Sequence, residues 1–122
     1  AHSFPTRRSS DLGAFGPGNT AKNLDLAIDG ETFEITEMYP TYIEVAKFQG
    51  EDGAARTFNW ALSTEKEHKK LFEKAKTAVE KGNDVKVDDI QVCEVCGFTL
   101  EGDAPDNCPI CGAKKEKFTT FD

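Results

Sequence analysis

The chain has 122 residues, which is enough for one medium domain or two small ones. Its formal net charge of -7 argues against nucleic-acid binding, because a polyanion is bound by clustered lysines and arginines that release its counterions. The sequence contains no apolar run of the roughly 18 residues that would span a bilayer, and no leader with an apolar core and a small-residue cleavage site. We therefore expect a cytoplasmic protein that binds neither nucleic acid nor membrane.

The first residues differ in character from the rest of the chain. Residues 1–12 (AHSFPTRRSSDL) have no helical or strand periodicity, and they resemble the translated read-through of a sequencing adapter. We expect this segment to be non-native and disordered. A glycine-rich stretch follows and ends in helix-start residues at Asn19 or Thr20. The expected domains are a helical hairpin over 13–83 and a cysteine module over 88–122.

Two amphipathic helices are predicted, at about 20–49 and 54–81. In the first helix, core positions recur at alternating steps of three and four residues. They are Leu24, Ile28, Glu31, Ile35, Met38, Tyr42 and Val45. Pro40 falls inside this pattern and predicts a kink, because proline cannot donate an intrahelical hydrogen bond. The short polar turn between the helices predicts that they pack antiparallel.

All four cysteines lie in two Cys-x-x-Cys-Gly motifs near the end of the chain. They are Cys93, Cys96, Cys108 and Cys111. Two such turns can bring four sulfurs to one ion in tetrahedral geometry, and each glycine can adopt the positive φ that points backbone amides at sulfur. The pattern favours a metal site over a pair of disulfides in an intracellular chain. Its spacing leaves open whether the ion is redox-active iron or structural zinc.

Charged side chains interrupt the apolar stripes of both helices. Glu31 and Glu34 lie three residues apart on the first helix, and Glu65 and His68 form a Glu-x-x-His motif on the second. A buried charge needs a partner, and di-iron bundles draw inward-facing Glu and Glu-x-x-His ligands from four helices. These two helices carry half of such a set. The alternative is that the four residues lie only on solvated helix faces.

The segment CEVCGFTLEGDAPDNCPICGA resembles the shortened rubredoxin domain at the C-terminus of rubrerythrins. With GETFEITEMYP and EKEH, it makes residues 13–122 similar to the C-terminal half of a rubrerythrin. The resemblance implies a mainly α fold, in which an antiparallel hairpin forms half of a ferritin-like four-helix bundle and precedes a small rubredoxin-like metal domain. It also favours iron over zinc at the cysteines.

Rubrerythrins reduce hydrogen peroxide to water at a non-haem di-iron centre, and their rubredoxin iron relays the electrons. The resemblance therefore implies a peroxidase that meets hydrogen peroxide and an electron-donor protein (rubredoxin or its reductase), and that forms a homo-oligomer. It implies that Glu31, Glu65 and His68 are di-iron ligands. Glu34 would enter or leave coordination with redox state. Tyr39 would lie near the site, unless it only packs in the core.

The resemblance also predicts the surroundings of the cysteine iron. Apolar neighbours would shield the iron, and an acidic rim would dock the donor, unless the rim is only solvated surface. The shielding residues would be Val92, Val95, Phe98 and Ile110, and the rim would be Glu94, Glu101, Asp103 and Asp106.

One departure from the family is large. Its first two bundle helices have no counterpart in residues 1–23, so this chain alone would hold half of the di-iron site and leave an apolar face uncovered. Two other interpretations stay open. The chain could be an electron-transfer module without catalysis, or a structural zinc knuckle on a dimerising hairpin.

Overall fold

The computed structural model describes residues 18–122, so the prediction made for residues 1–12 lies outside the described part of the chain. Helix α1 (Thr20–Phe33) begins as predicted, because the side chain of Asn19 accepts a hydrogen bond from the backbone N–H of Lys22 at 2.9 Å. The helix continues through a π-helical turn (Glu34–Met38) into α2 (Tyr39–Phe48).

The chain then reverses direction, and a third helix packs back along α1 and α2. The reversal includes Gly50 at φ 73°, and helix α3 (Asp52–Glu80) follows it. An ion pair of 2.5 Å joins Lys76, near the end of α3, to Asp25, near the start of α1, so the two helices are antiparallel. The predicted antiparallel hairpin is confirmed. No helix within residues 18–122 is long and apolar enough to cross a membrane.

The π-helical turn changes which side chains of α2 face α3. Tyr42 and Val45, predicted to be core residues, are 45% and 48% exposed, whereas Ile43 and Ala46 are 6% and 4% exposed. A π turn holds one extra residue, so every later side chain is rotated back by about 100° relative to a regular helix. The prediction for Tyr42 and Val45 was wrong because the periodicity was extended through this turn as if it were regular.

Pro40 accounts for the position of the wider turn. Proline has no N–H to donate to the carbonyl of Thr36, four residues earlier. The backbone N–H of Tyr39 instead reaches the carbonyl of Glu34, five residues earlier, which closes the π turn. Where the sequence predicted a kink at Pro40, the structure has an extra residue in the turn before it.

The C-terminal module is a small antiparallel sheet with strands β1 (Ile90–Cys93), β2 (Thr99–Glu101) and β3 (Phe118–Phe121), in the order β2-β1-β3. A single 3-10 turn, Lys115–Lys117, precedes β3. The predicted combination of a helical hairpin and a small rubredoxin-like module is therefore confirmed.

The core of the module is built around the metal motifs. Cys93, Phe98 and Cys108 are buried together, and Ile110 packs against them. Val92 and Val95 were also predicted to shield the site, but both lie outside that cluster. Val92 is half-buried on β1, and Val95 is 49% exposed. Of the four predicted residues, Phe98 and Ile110 therefore provide the shielding.

The hairpin and the module touch along one side of α3. Lys74 on α3 contacts both carboxylate oxygens of Glu101 on β2, at 2.5 and 2.7 Å. The same carboxylate accepts a hydrogen bond from the backbone N–H of Asp88 at 2.8 Å. Glu101 was predicted to belong to an acidic rim for a donor protein, but it is engaged inside the chain. The exposed acidic residues of that rim are Glu94, Asp103 and Asp106.

Candidate metal centres

The two cysteine motifs form two loops with the same backbone geometry. In the first loop, the Gly97 N–H donates to the carbonyl of Cys93 at 2.8 Å, and the Cys93 N–H donates to the carbonyl of Phe98 at 2.9 Å. In the second loop, the Gly112 N–H donates to the carbonyl of Cys108 at 2.9 Å, and the Cys108 N–H donates to the carbonyl of Ala113 at 2.7 Å. Gly97 and Gly112 have φ of 79° and 76°, which closes each loop without a Cβ clash.

The two loops face each other and bring four sulfurs together. Cys93 Sγ lies 3.7 Å from Cys111 Sγ, and Cys96 Sγ lies 3.6 Å from Cys108 Sγ. A metal–sulfur distance of about 2.3 Å in a regular tetrahedron requires a sulfur–sulfur distance of about 3.8 Å. All four cysteines are free, and these separations are far longer than the roughly 2.05 Å of a disulfide. The arrangement therefore fits one tetrahedral thiolate-bound ion and excludes the alternative of two disulfides.

Backbone amides and burial act in opposite directions on these thiols. Burial disfavours ionisation of Cys93, but the backbone N–H groups of Cys96 and Val95 point at its sulfur and hold its pKa below the ordinary value. Burial raises the pKa of Cys96 well above its ordinary value, despite the N–H of Phe98. Burial also raises the pKa of Cys111. Four crowded thiolates need a cation to remain ionised together, and a bound metal ion supplies that charge.

A second cluster lies in the hairpin, where α1 contributes Glu31 and α3 contributes Glu65 and His68. One oxygen or nitrogen from each side chain lies within 4.8 Å of the others. His68 Nδ1 is 2.8 Å from Glu65 Oε2 and 3.8 Å from Glu31 Oε1. The Glu-x-x-His spacing puts Glu65 and His68 on one face of α3, and antiparallel packing brings Glu31 opposite them.

The electrostatics of this cluster favour a cation. Among the described residues, Glu31 Oε2 is the one buried side-chain oxygen or nitrogen without a hydrogen-bond partner. Burial, together with the hydrogen bond to Glu65 and the charges of Glu65 and Glu34, raises the pKa of Glu31 to about 8. Oxygens of two carboxylates and an imidazole nitrogen suit iron, zinc or manganese. The residues therefore fit a metal ion. The ion would neutralise the carboxylates, and Glu31 Oε2 could coordinate it.

Tyr39 and Glu34 border this cluster. The Tyr39 hydroxyl donates a hydrogen bond to Glu65 Oε1 at 3.4 Å, and burial, followed by the charges of Glu65 and Glu34, raises its pKa above the ordinary value. The π turn makes this contact possible. Viewed down the helix axis, Tyr39 and Glu31 point about 20° apart, whereas in a regular helix they would point about 80° apart. Burial, with the charge of Glu65, also raises the pKa of Glu34, but its carboxylate is outside the three-residue group.

A contact that the sequence did not predict joins the two clusters. His68 Nε2 lies 3.4 Å from the hydroxyl of Thr99, three residues after Cys96. Thr99 is 9% exposed at the start of β2, and its hydroxyl donates to the carbonyl of Gly97 at 3.1 Å. A lone threonine carries no motif, and no spacing links it to His68, so the sequence contained no signal for this contact.

The comparisons with known proteins agree with this geometry. The family described as Rubrerythrin matches residues 16–76, and the family described as the rubredoxin-like domain of rubrerythrin matches residues 91–119. The chain belongs to the rubrerythrin family. The predicted resemblance is thereby confirmed, and each half of a rubrerythrin-type arrangement has its own match in this chain.

Individual rubrerythrin relatives cover most of the chain. It is 46% identical over 107 residues to Rubrerythrin-2 of Clostridium acetobutylicum, an alignment that covers 88% of this chain and 58% of that relative. It is 30% identical to nigerythrin of Nitratidesulfovibrio vulgaris, over 81% of this chain and 48% of that relative. The structure of partially reduced nigerythrin superposes with a TM-score of 0.73 at 28% identity, covering 88% of this chain and 52% of that one. The chain thus spans about half the length of these relatives.

Proposed function

We propose that the chain is part of a non-haem iron peroxidase that reduces hydrogen peroxide to water. Electrons from a donor protein would reach iron at the four cysteines and then a di-iron site that includes Glu31, Glu65 and His68. One observation carries the proposal: His68, which faces both glutamates, contacts Thr99 in the segment that directly follows Cys96. The cluster that would bind peroxide and the cluster that would supply electrons are therefore neighbours.

Iron held by thiolates carries one electron at a time, and two ferrous ions held by carboxylates and histidine supply the two electrons that peroxide reduction consumes. The overall reaction takes up two electrons and two protons per peroxide and releases two waters. The structure of nigerythrin in a fully reduced, all-ferrous state superposes on this chain with a TM-score of 0.73. That relative supports iron over zinc for the proposed centres.

The chain's own residues have distinct parts in this proposal. Glu31, Glu65 and His68 would hold cations, and Glu34, half-buried beside them, would join or leave the ligand set with redox state. Tyr39 keeps a hydroxyl proton directed at Glu65, within reach of the cluster. Because a di-iron bundle uses ligands from four helices, this hairpin would hold half of the site and other helices, such as those of a second copy, the rest.

The first test is the visible absorption spectrum of anaerobically purified and then oxidised protein, with iron and zinc quantified per chain. We expect one iron per chain with thiolate charge-transfer bands. If the helical site is assembled, the iron content should exceed one per chain. A colourless protein with one zinc after iron-rich growth would contradict the proposal and leave a structural knuckle.

A second test separates peroxide chemistry from thiolate iron. Rapid mixing of reduced, iron-loaded protein with hydrogen peroxide should return the ferric-thiolate absorbance if the helical site accepts electrons. His68→Ala should slow this reoxidation about 100-fold or more, since it removes a ligand, while the colour of the oxidised cysteine site stays the same. The matched control is Lys70→Ala, an exposed change two residues along α3. Equal reoxidation rates in His68→Ala and the unmodified chain would contradict a role for the helical cluster.

A non-catalytic electron-transfer module is the second candidate. It is favoured by the completeness of the cysteine site, because all four thiolates come from residues 93–111 of one chain, whereas the helical cluster groups three ligands. Reversible one-electron reduction without peroxide-dependent reoxidation would identify this function.

A further inference from the structure

Thr99 lies between the two metal clusters and hydrogen-bonds toward both. Its side chain belongs to the sheet of the cysteine module, where it is 9% exposed at the first position of β2. Its hydroxyl is 3.1 Å from the carbonyl of Gly97, in the loop that carries Cys96, and 3.4 Å from Nε2 of His68. Nothing in the peroxide chemistry proposed above assigns this residue a role.

The protons of this chain of contacts can be counted. A threonine hydroxyl has one proton. Here the hydroxyl donates that proton in a hydrogen bond to the carbonyl of Gly97, because a carbonyl oxygen can only accept. When a cation occupies Nδ1, the nitrogen that would otherwise donate to Glu65 Oε2, the hydroxyl accepts a hydrogen bond from Nε2 of His68. The nitrogen left to bind a cation is Nδ1, which is the atom that faces Glu65 Oε2 at 2.8 Å and Glu31 Oε1 at 3.8 Å.

We propose that Thr99 is a positioning residue for the helical metal cluster, which holds the His68 ring with Nε2 protonated and Nδ1 directed at Glu31 and Glu65. Histidines that bind metals commonly donate their other N–H to a neighbouring oxygen, which orients the ring and strengthens binding. In this chain the oxygen comes from the cysteine module. Binding of metal by the hairpin therefore depends on a side chain of the neighbouring module. The inference rests on the proposed function, since it requires the helical cluster to bind metal.

The test measures metal affinity without relying on peroxide turnover. The full chain is first loaded with one Zn²⁺ at the cysteines, which hold zinc more tightly than cobalt, and Co²⁺ is then titrated by calorimetry. Thr99→Val, which removes the hydroxyl and keeps the shape, should weaken Co²⁺ binding about 10-fold or more. Thr99→Ser keeps a hydroxyl and should restore affinity to within about threefold of the original.

Thr120→Val is the matched control. Thr120 makes the same kind of hydroxyl contact in the same sheet, to Gln91 Oε1 at 2.9 Å, on the strand pair β1–β3 and away from His68. It should leave Co²⁺ affinity unchanged. Thr99→Val affinity equal to that of the unmodified chain, or failure of Thr99→Ser to restore binding, would overturn the inference while leaving the proposed function standing. An unmodified chain that takes up no metal beyond the cysteine site would overturn both.

A spectroscopic readout needs no variant and so does not depend on the folding of Thr99→Val. In the chain loaded with two Zn²⁺, the ¹⁵N spectrum of the His68 ring should show a proton on Nε2 and the metal on Nδ1. A ring that binds zinc through Nε2 in the unmodified chain would overturn the inference on its own.

Discussion

The two candidate metal centres of this protein are assembled in opposite ways. The cysteine centre takes all its ligands from two short loops with the same backbone hydrogen bonds, and its sulfurs lie at tetrahedral spacing. The helical centre takes ligands from two different helices, and it leaves Glu31 Oε2 without a partner. One centre is determined by local loop geometry, and the other exists only when the hairpin is packed.

This difference extends to what stabilises each region. The cysteine module has a small buried core, in which Cys93 and Cys108 accompany Phe98, so its ligands are also core residues. The hairpin is stabilised by apolar contacts such as those of Ile43, which is 6% exposed. Metal binding should therefore decide whether the module folds, whereas it should decide only the chemistry of the hairpin.

The largest effect is expected from Cys96→Ser, which removes one thiolate of the tetrahedral set. Binding of a structural ion to such a site is worth about 10 to 16 kcal/mol, so the module should lose its metal and its sheet. The helical far-ultraviolet signal of the hairpin should remain. Metal content per chain and the amide signals of β1 and β2 provide the measurement.

Val95→Ala is the control for this change, because Val95 lies in the same loop but is 49% exposed. It keeps the backbone N–H that points at Cys93, so metal content should be unchanged. A Cys96→Ser chain that retains its sheet signals would show that the module folds on apolar packing alone and would remove the contrast between the two regions.

The next largest effect concerns which face of α2 is buried against α3, because the π turn determines that face. Ile43→Ala should lower the free energy of unfolding of the hairpin by about 2 to 4 kcal/mol, because it leaves a cavity among buried side chains. Val45→Ala, on the exposed side of the same helix, should cost less than about 0.5 kcal/mol. Urea unfolding followed by helical circular dichroism measures both. The opposite ranking would restore the regular-helix register and contradict the π turn.

A smaller effect is expected from Glu31→Gln in metal-free protein. The folded chain binds the Glu31 proton more tightly than the unfolded chain, because its pKa is raised from 4.5 to about 8. The free energy of unfolding should therefore fall as the pH rises from about 4.5 to about 8. Glu31→Gln removes this slope and should stabilise the metal-free chain at pH 8 by about 1 to 3 kcal/mol, while weakening metal binding.

Urea unfolding with a chelator at pH 5 and pH 8 measures the slope. Glu37→Gln, an exposed change on the same helical segment, should keep it. If Glu31→Gln and the unmodified chain depended equally on pH, Glu31 would not be the carboxylate that is protonated in the metal-free cluster.

Sequence reasoning was accurate where the chemistry is local. Two Cys-x-x-Cys-Gly motifs predict a tetrahedral site because the loop that each motif forms is defined by neighbouring residues, and Glu65 and His68 share a face because they are three residues apart on one helix. The grouping of Glu31 with them was implied by the resemblance to rubrerythrins. The cap at Asn19 was predicted for the same reason, since a helix start depends on the adjacent residues.

Tertiary structure alone decided the features that depend on distant residues or on an added helical residue. The π turn rotated Tyr42 and Val45 outward and brought Tyr39 to Glu65, because one extra residue shifts the whole of α2 while leaving the composition of the helix unchanged. The contact of His68 with Thr99 joins residues 31 positions apart on separate elements. Local sequence determines which ligand groups this protein has, and the packing of the hairpin against the module determines their direction and their partners, because orientation depends on the whole surrounding fold.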